Sequence, residues 1–204
     1  MISAIEKLLT GERRTNAKSR QINQYCSMKM ATFASPSRLN LSLPYMTIYQ
    51  RLKDLNLTLP AAPKPAASYV TVVEASNLIF VSGQGPLVGP RPVYTGRIGE
   101  TLTQEDGYNA ARLSAMNALA ALDAEIGLDR VMRIVKLTGW VSSAPDFYFQ
   151  HLVVDGASDL LIEVFGETGL HTRCALGVHV LPFNIPVEIE LVAALKPGPV
   201  RGKG

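Results

Sequence analysis

The hydrophobic and polar positions divide the 204-residue chain into a patternless start and a patterned body. Across residues 1–45 no hydrophobic period is sustained beyond residues 2–9. Residues 47–57 (TIYQRLKDLNL) read as a short amphipathic helix, with Leu52 and Leu55 at helical spacing. The prolines at 60, 63 and 65 then force an extended arm, because proline fixes φ and turns its predecessor away from helix. Residues 69–73 and 78–82 are strand-like runs around the turn-rich Glu74-Ala75-Ser76-Asn77, which predicts a hairpin. Residues 103–126 form the clearest helix: Thr103 and Asp106 make a capping-box start, apolar or small residues recur at three- and four-residue steps, and Gly127 ends it. Residues 131–141 read as an alternating strand, with Trp140 near its end. A second long helix is expected from Ser143-Ala144-Pro145-Asp146 to about Phe165, ended by Gly166 or Gly169. Gly156 interrupts it at a cost of about 1 kcal/mol relative to alanine, so it implies a bend or a close backbone approach. Two last runs, 171–182 and 187–190, read as neighbouring strands with a short turn between them.

The order β-β-α-β-α-β-β predicts an α+β fold, one mixed sheet with two helices on one face. The other face must meet something, and a second subunit is the simplest answer. The expected organisation is a disordered basic leader or upstream extension over 1–45, one domain over 46–197, and a flexible tail over 198–204. Met46 is a natural alternative start.

Charge sharpens that division. Residues 1–45 hold seven Lys or Arg against two Glu, a net of +5, which leaves 13 against 15 and a net of −2 for the body. Residues 1–45 lack the apolar core of a secretory signal but are basic and bear serines, as an organelle-targeting leader does. Cytoplasmic placement is therefore expected, or mitochondrial placement if these residues direct import. The mildly acidic body argues against nucleic acid as a partner. No apolar run approaches the ~18 residues of a membrane span. Cys26 and Cys174 give neither a disulfide framework nor a metal knuckle, which fits a reducing compartment.

Candidate chemistry is sparse. Ser82-Gly83-Gln84-Gly85 lacks the spacing of a phosphate loop and reads as a glycine-rich turn or a place where backbone approaches a ligand. His151, His171 and His179 show no metal-ligand spacing, Ser82 no nucleophile elbow, and Cys174 reads as a buried small hydrophobe. Arg173 is different. Strand alternation puts Arg173, Ala175, Gly177 and His179 on one face and Cys174, Leu176, Val178 and Val180 on the other, read as the core stripe. An arginine among small residues suggests a recess shaped to hold a carboxylate in a bidentate fork. Its partner is Glu188, a second subunit or a ligand carboxylate; the residues alone leave these open.

Tyr69, Ser82-Gly83-Gln84, Arg173, Leu181-Pro182 and Val187-Glu188-Ile189-Glu190 together resemble the YjgF/RidA family, the reactive-intermediate imine deaminases, also labelled endoribonuclease L-PSP. Residues 155–161 and 164–167 look like a divergent branch with a chorismate-mutase-like fold. The resemblance spans about residues 66–196. It implies a homotrimer enclosing a barrel, with three clefts between subunits and no metal or organic cofactor. It implies that Arg173 grips the carboxylate of a small metabolite, that Glu188 and Tyr69 position water or shuttle protons, and that Ser82 and Gly83 line the cleft. Ala175 stands where some members have a thiol and Gly156 where active deaminases have an asparagine. Both would then face the substrate, with room for a larger one. The implied activity is hydrolysis of carboxylated enamines or imines to a 2-keto acid and ammonia. The alternatives are a metabolite-binding trimer without turnover and, from the family label alone, RNA cleavage.

Overall fold

The computed structural model describes residues 47–65 and 67–197. The expectations for 1–45 and 198–204 lie outside the described residues. Helix α1 (Ile48–Asp54) opens the described chain, with the Thr47 hydroxyl accepting from Gln50 N–H and Leu52 buried. The arm over 59–65 has no regular structure. Strands β1 (Val72–Ala75) and β2 (Leu78–Gln84) form the expected hairpin. It starts three residues later than expected, because the chain bends at Tyr69, whose N–H bonds the Ala67 carbonyl at 2.9 Å. A two-stranded ribbon follows, β3 (Leu87–Val88) with β4 (Arg91–Pro92).

Helix α2 (Gln104–Ile126) has both bonds of the capping box between Thr103 and Asp106, and ends at Gly127, whose φ of 75° suits glycine. Its buried face is mostly Ala110, Ala111, Ala115, Ala118 and Ala121, so the helix backbone lies close on the sheet. Strand β5 (Val131–Ser142) does not alternate as expected. Register shifts against its neighbour, between Val131 and Arg133 and between Ile134 and Lys136, let Val131, Ile134 and Leu137 all point into the core.

Helix α3 (Gln150–Phe165) begins later than expected. Residues 144–147 close a turn instead, with Phe147 N–H on the Ala144 carbonyl at 3.0 Å. Ser143 Oγ accepts from the Gln150 amide at 3.1 Å. α2 and α3 pack together with polar stitching on their outer side, where Arg112 grips Glu163 through two bonds of 3.2 and 2.6 Å. Beside that pair, burial and the charge of Asp159 push the Tyr108 phenol up to about 12.

Strands β6 (Thr172–Val178) and β7 (Val187–Leu195) complete a five-stranded mixed sheet of order β1-β2-β7-β5-β6, parallel only between β5 and β6. β6 and β7 are therefore not neighbours, contrary to the expectation. β5 lies between them, with Leu137 beside Arg173 and Trp140 beside Glu188. Both helices cover one face of the sheet. On that face Ile79, Val81, Leu137, Val187, Ile189 and Leu191 are buried. The opposite face leaves Val73, Phe80 and Leu176 more than two-fifths exposed. Among the described residues no helix is long and apolar enough to cross a membrane.

Candidate functional site

Arg173 belongs to the helix-covered face. It pairs across β5 with Leu137, and Ala175 packs against the core. The stripe of Cys174 and Leu176 is the exposed one, so the expected facing of β6 is reversed. The reason lies in α3. Its buried Asp155 and Ser158 meet the strand where a hydrophobic side chain would otherwise be needed. Arg173 Nη1 donates to Asp155 Oδ1 at 2.8 Å and to Ser158 Oγ at 3.0 Å. The small residues beside Arg173 admit neighbouring structure rather than form a recess: a Cβ at Gly177 would meet the Gln150 amide at 2.9 Å.

Behind Arg173 the polar chain continues. Ser158 Oγ lies 3.1 Å from His171 Nε2, and His171 Nδ1 lies 2.6 Å from the Gly169 carbonyl. Burial, aided by the Arg173 charge, holds the His171 imidazole below its usual pKa; the Gly169 bond opposes this in part. Arg173 uses only Nη1 among the described residues, and a quarter of its side chain stays exposed. Its Nη2/Nε edge is thus a donor pair held from behind and open in front.

Glu188 lies on the other face. Its neighbours Val187 and Ile189 are buried, so strand alternation turns Glu188 and Glu190 outward, beside Thr138 and Trp140 of β5. Glu188 has no hydrogen bond or ion pair among the described residues. Burial first, and repulsion from Glu190 second, raise its carboxyl above the usual range. Gly83 leans on it: a Cβ there would fall onto Glu188 Oε1. The approach is made by a bulge in β2 between Val81 and Gln84, where Ser82 and Gly83 oppose the single residue Glu190 of β7. Buried Asn117 of α2 fixes the turn after it, donating to the Gly85 and Leu87 carbonyls at 2.9 Å each.

The residues singled out in the sequence therefore fall into two groups. Glu188, Gly83 and Ser82 gather on the open face, and Tyr69 lies close by in the chain, two residues before Thr71, whose carbonyl accepts the Ser82 N–H at 2.9 Å. Arg173 and Ala175 are on the helix-covered face. The partner of Arg173 within the chain is Asp155, not Glu188. Gly156 joins neither group. It is buried where α3 crosses α2, and a Cβ would fall onto the Tyr108 carbonyl. Its explanation is close backbone approach, and it leaves no room for a substrate. Cys174 is exposed, not buried. The sequence reading missed Asp155, Ser158 and His171 as a unit. Their signal was an i, i+3 polar pair inside an apolar helix, with His171 just before β6 and Arg173 two residues on.

A family profile described as "YjgF/chorismate mutase-like, putative endoribonuclease" matches residues 50–195. Protein TCP17 of Trypanosoma cruzi is 44% identical over 146 residues, 71% of this chain and 91% of that protein. A 2-iminobutanoate/2-iminopropanoate deaminase of Dermatophagoides farinae is 26% identical over 69% of this chain and 95% of its own length. Among solved structures, protein Atu1372 of Agrobacterium tumefaciens, of unknown function, superposes with a TM-score of 0.68 at 41% identity, covering 73% of this chain and 92% of that one. A "putative endoribonuclease" of Shewanella oneidensis superposes with a TM-score of 0.71 at 33% identity, over 73% and 99%.

Proposed function

This chain belongs to the YjgF/chorismate mutase-like family, and from that premise we propose that it hydrolyses small carboxylated enamines or imines to a 2-keto acid and ammonia, without a cofactor, in clefts between the subunits of a homotrimer. The observation that carries this reading is the Arg173 fork, tethered through Nη1 to Asp155 and Ser158 with its second edge open. A planar pair of N–H donors recognises a carboxylate bidentately, and the tether holds it in place before the ligand arrives.

Turnover also needs a group that exchanges protons near neutral pH. Glu188 suits this, since its raised pKa brings it toward the working range of a general acid–base. In the proposed step, an enamine first tautomerises to its imine, and water adds to the imine carbon as Glu188 takes one proton from it. Glu188 returns that proton to the nitrogen, and the C–N bond of the carbinolamine breaks as its hydroxyl proton passes to the departing nitrogen, leaving the 2-keto acid and ammonia. Tyr69, Ser82 and Gly83 would line the Glu188 side and Ala175 the Arg173 side. Arg173 and Glu188 lie on opposite faces of one sheet, so a single chain cannot bring both to one small ligand. The exposed apolar residues of the open face are what a second subunit would cover.

A second reading has its own support. Asp155 already neutralises part of the Arg173 charge, as in a site that binds a metabolite without turning it over. Generating 2-aminoacrylate enzymatically beside the full-length protein separates the two. Deamination predicts faster release of ammonia and pyruvate, lost in Arg173→Ala. A binding protein would be stabilised by carboxylates through Arg173 with no change in release. An Arg173→Ala protein as active as the wild type would overturn the assignment. Mass spectrometry of the N-terminus, on protein recovered from cytoplasm and from mitochondria, tests whether residues 1–45 direct import.

A further inference from the structure

His171 takes no part in the hydrolysis just described, yet it shares a hydroxyl with the proposed carboxylate fork. The hydrogens along this chain are set by what each group can do. Arginine has no acceptor, so Nη1 donates to Ser158 Oγ at 3.0 Å. The Gly169 carbonyl has no hydrogen to give, so His171 Nδ1 donates across 2.6 Å. The Ser158 hydrogen then goes to His171 Nε2 at 3.1 Å. The resting state is therefore one neutral tautomer of His171, with its free lone pair turned toward Ser158.

A proton on Nε2 would break that arrangement. Ser158 Oγ would face two donors, and two cations would flank one oxygen within 3.1 Å of each. The elements packed around the ring carry Arg173 on β6, Asp155 and Asp159 on α3, and Glu167 in the turn between α3 and β6. Arg133 on β5 donates to the Leu170 carbonyl at 3.2 Å. Of these charges, Arg173 is the one whose field acts on the imidazole, and it acts against protonation. An anion on the open Nη2/Nε edge cancels that field. Ligand and proton then favour each other, by the reciprocity that governs any two coupled sites.

We propose that Ser158 and His171 make Arg173 a proton-coupled anion subsite, in which a carboxylate entering on the open edge brings a proton onto His171. This rests on the reading that Arg173 receives a carboxylate. It adds that His171 is a positioning residue acting through Ser158 and that the site distinguishes carboxylates from neutral analogues by charge. The midpoint of His171 rises when the ligand is bound. Affinity therefore strengthens as pH falls from the bound midpoint to the free one, about tenfold per unit of midpoint shift. Above and below that window it is flat. Departure of the 2-keto acid would release the proton again.

Pyruvate is a suitable probe for the full-length protein. Calorimetry in two buffers of contrasting ionisation enthalpy, both free of carboxylate and phosphate, counts the protons taken up. NMR titration of the His171 ring with and without pyruvate reads the midpoint directly and needs no variant. The expected result is fractional proton uptake and a raised His171 midpoint in the wild type. In His171→Asn, which keeps a donor for Gly169, pyruvate affinity loses this pH dependence and the uptake falls. Pyruvate bound through Arg173 with an unmoved His171 midpoint, or with undiminished uptake in His171→Asn, would overturn the inference and leave the carboxylate reading intact. No binding in the wild type, or equal binding by Arg173→Ala, would remove that reading and the inference with it.

Discussion

Arg173 and Glu188 stand fifteen residues apart in the sequence and on opposite faces of one sheet, and their surroundings differ in kind. Arg173 is built into the chain: Asp155 and Ser158 hold it, and His171 orders Ser158. Glu188 is half-buried with no hydrogen-bonded partner among the described residues and with a like charge on its own face. One charge is satisfied by its own fold; the other is held against its own preference. Stability is served by the first arrangement and opposed by the second. The contrast teaches that the fold answers one charge internally and leaves the other on a face with exposed apolar side chains, which is where the proposed second subunit would act.

The contrast can be broken most strongly through activity. Both Arg173→Ala and Glu188→Gln are expected to reduce 2-aminoacrylate hydrolysis to the rate without protein, read from ammonia release. Their stabilities should move in opposite directions. Arg173→Ala removes a charged hydrogen-bond partner from buried Asp155 and from Ser158, at a cost of about 1–3 kcal/mol in chemical denaturation. Glu188→Gln is expected to stabilise. The folded-state pKa of Glu188 lies above its unfolded value, so the carboxylate opposes folding at neutral and alkaline pH. That penalty fades as pH falls through the raised pKa. The advantage of the Gln variant over wild type should therefore be greatest at neutral pH and above, and shrink on acidification. A variant less stable than wild type at pH 8 would contradict this account of Glu188.

Gly156→Ala sharpens the comparison by separating fold from site. Its methyl would strike the Tyr108 carbonyl, so the helices must part, at about 1–3 kcal/mol. Any activity lost should return at lower temperature, as expected of a packing residue. Asn117→Ala should cost a similar or smaller amount, because it removes a buried donor from the Gly85 carbonyl and a half-buried one from the Leu87 carbonyl. Its effect should be concentrated in faster amide exchange of residues 85–88.

Much of this was legible in the sequence, and what escaped has physical causes. The capping box at Thr103 and the glycine stop at Gly127 are local signals, and local signals survive folding. Strand adjacency is not local. Nothing in residues 171–190 says that β5 will come between β6 and β7. The facing of β6 was misread because hydrophobic residues usually point inward, whereas here α3 offers Asp155 and Ser158 to an arginine and leaves Leu176 outside. The later start of α3 follows from a distant partner: Ile98 bonds the Ser142 carbonyl and the Ala144 N–H at 2.9 and 2.8 Å and holds the chain extended there. Arg173, Glu188, Tyr69, Ser82 and Gly83 stood out by type and spacing, whereas Asp155, Ser158 and His171 did not. The division of the first group between two faces needed the bulge in β2 and the central place of β7.

The most direct measurement mixes the two inactive chains. Arg173→Ala and Glu188→Gln proteins, each differently tagged, would be unfolded together, refolded, and recovered through both tags. If the site takes Arg173 from one subunit and Glu188 from the next, some clefts in the mixed assembly contain both residues. Ammonia release from 2-aminoacrylate should then return to a substantial fraction of the wild-type rate. Mixed assemblies as inactive as either parent, beside an active wild type refolded in the same way, would contradict a cleft shared between subunits.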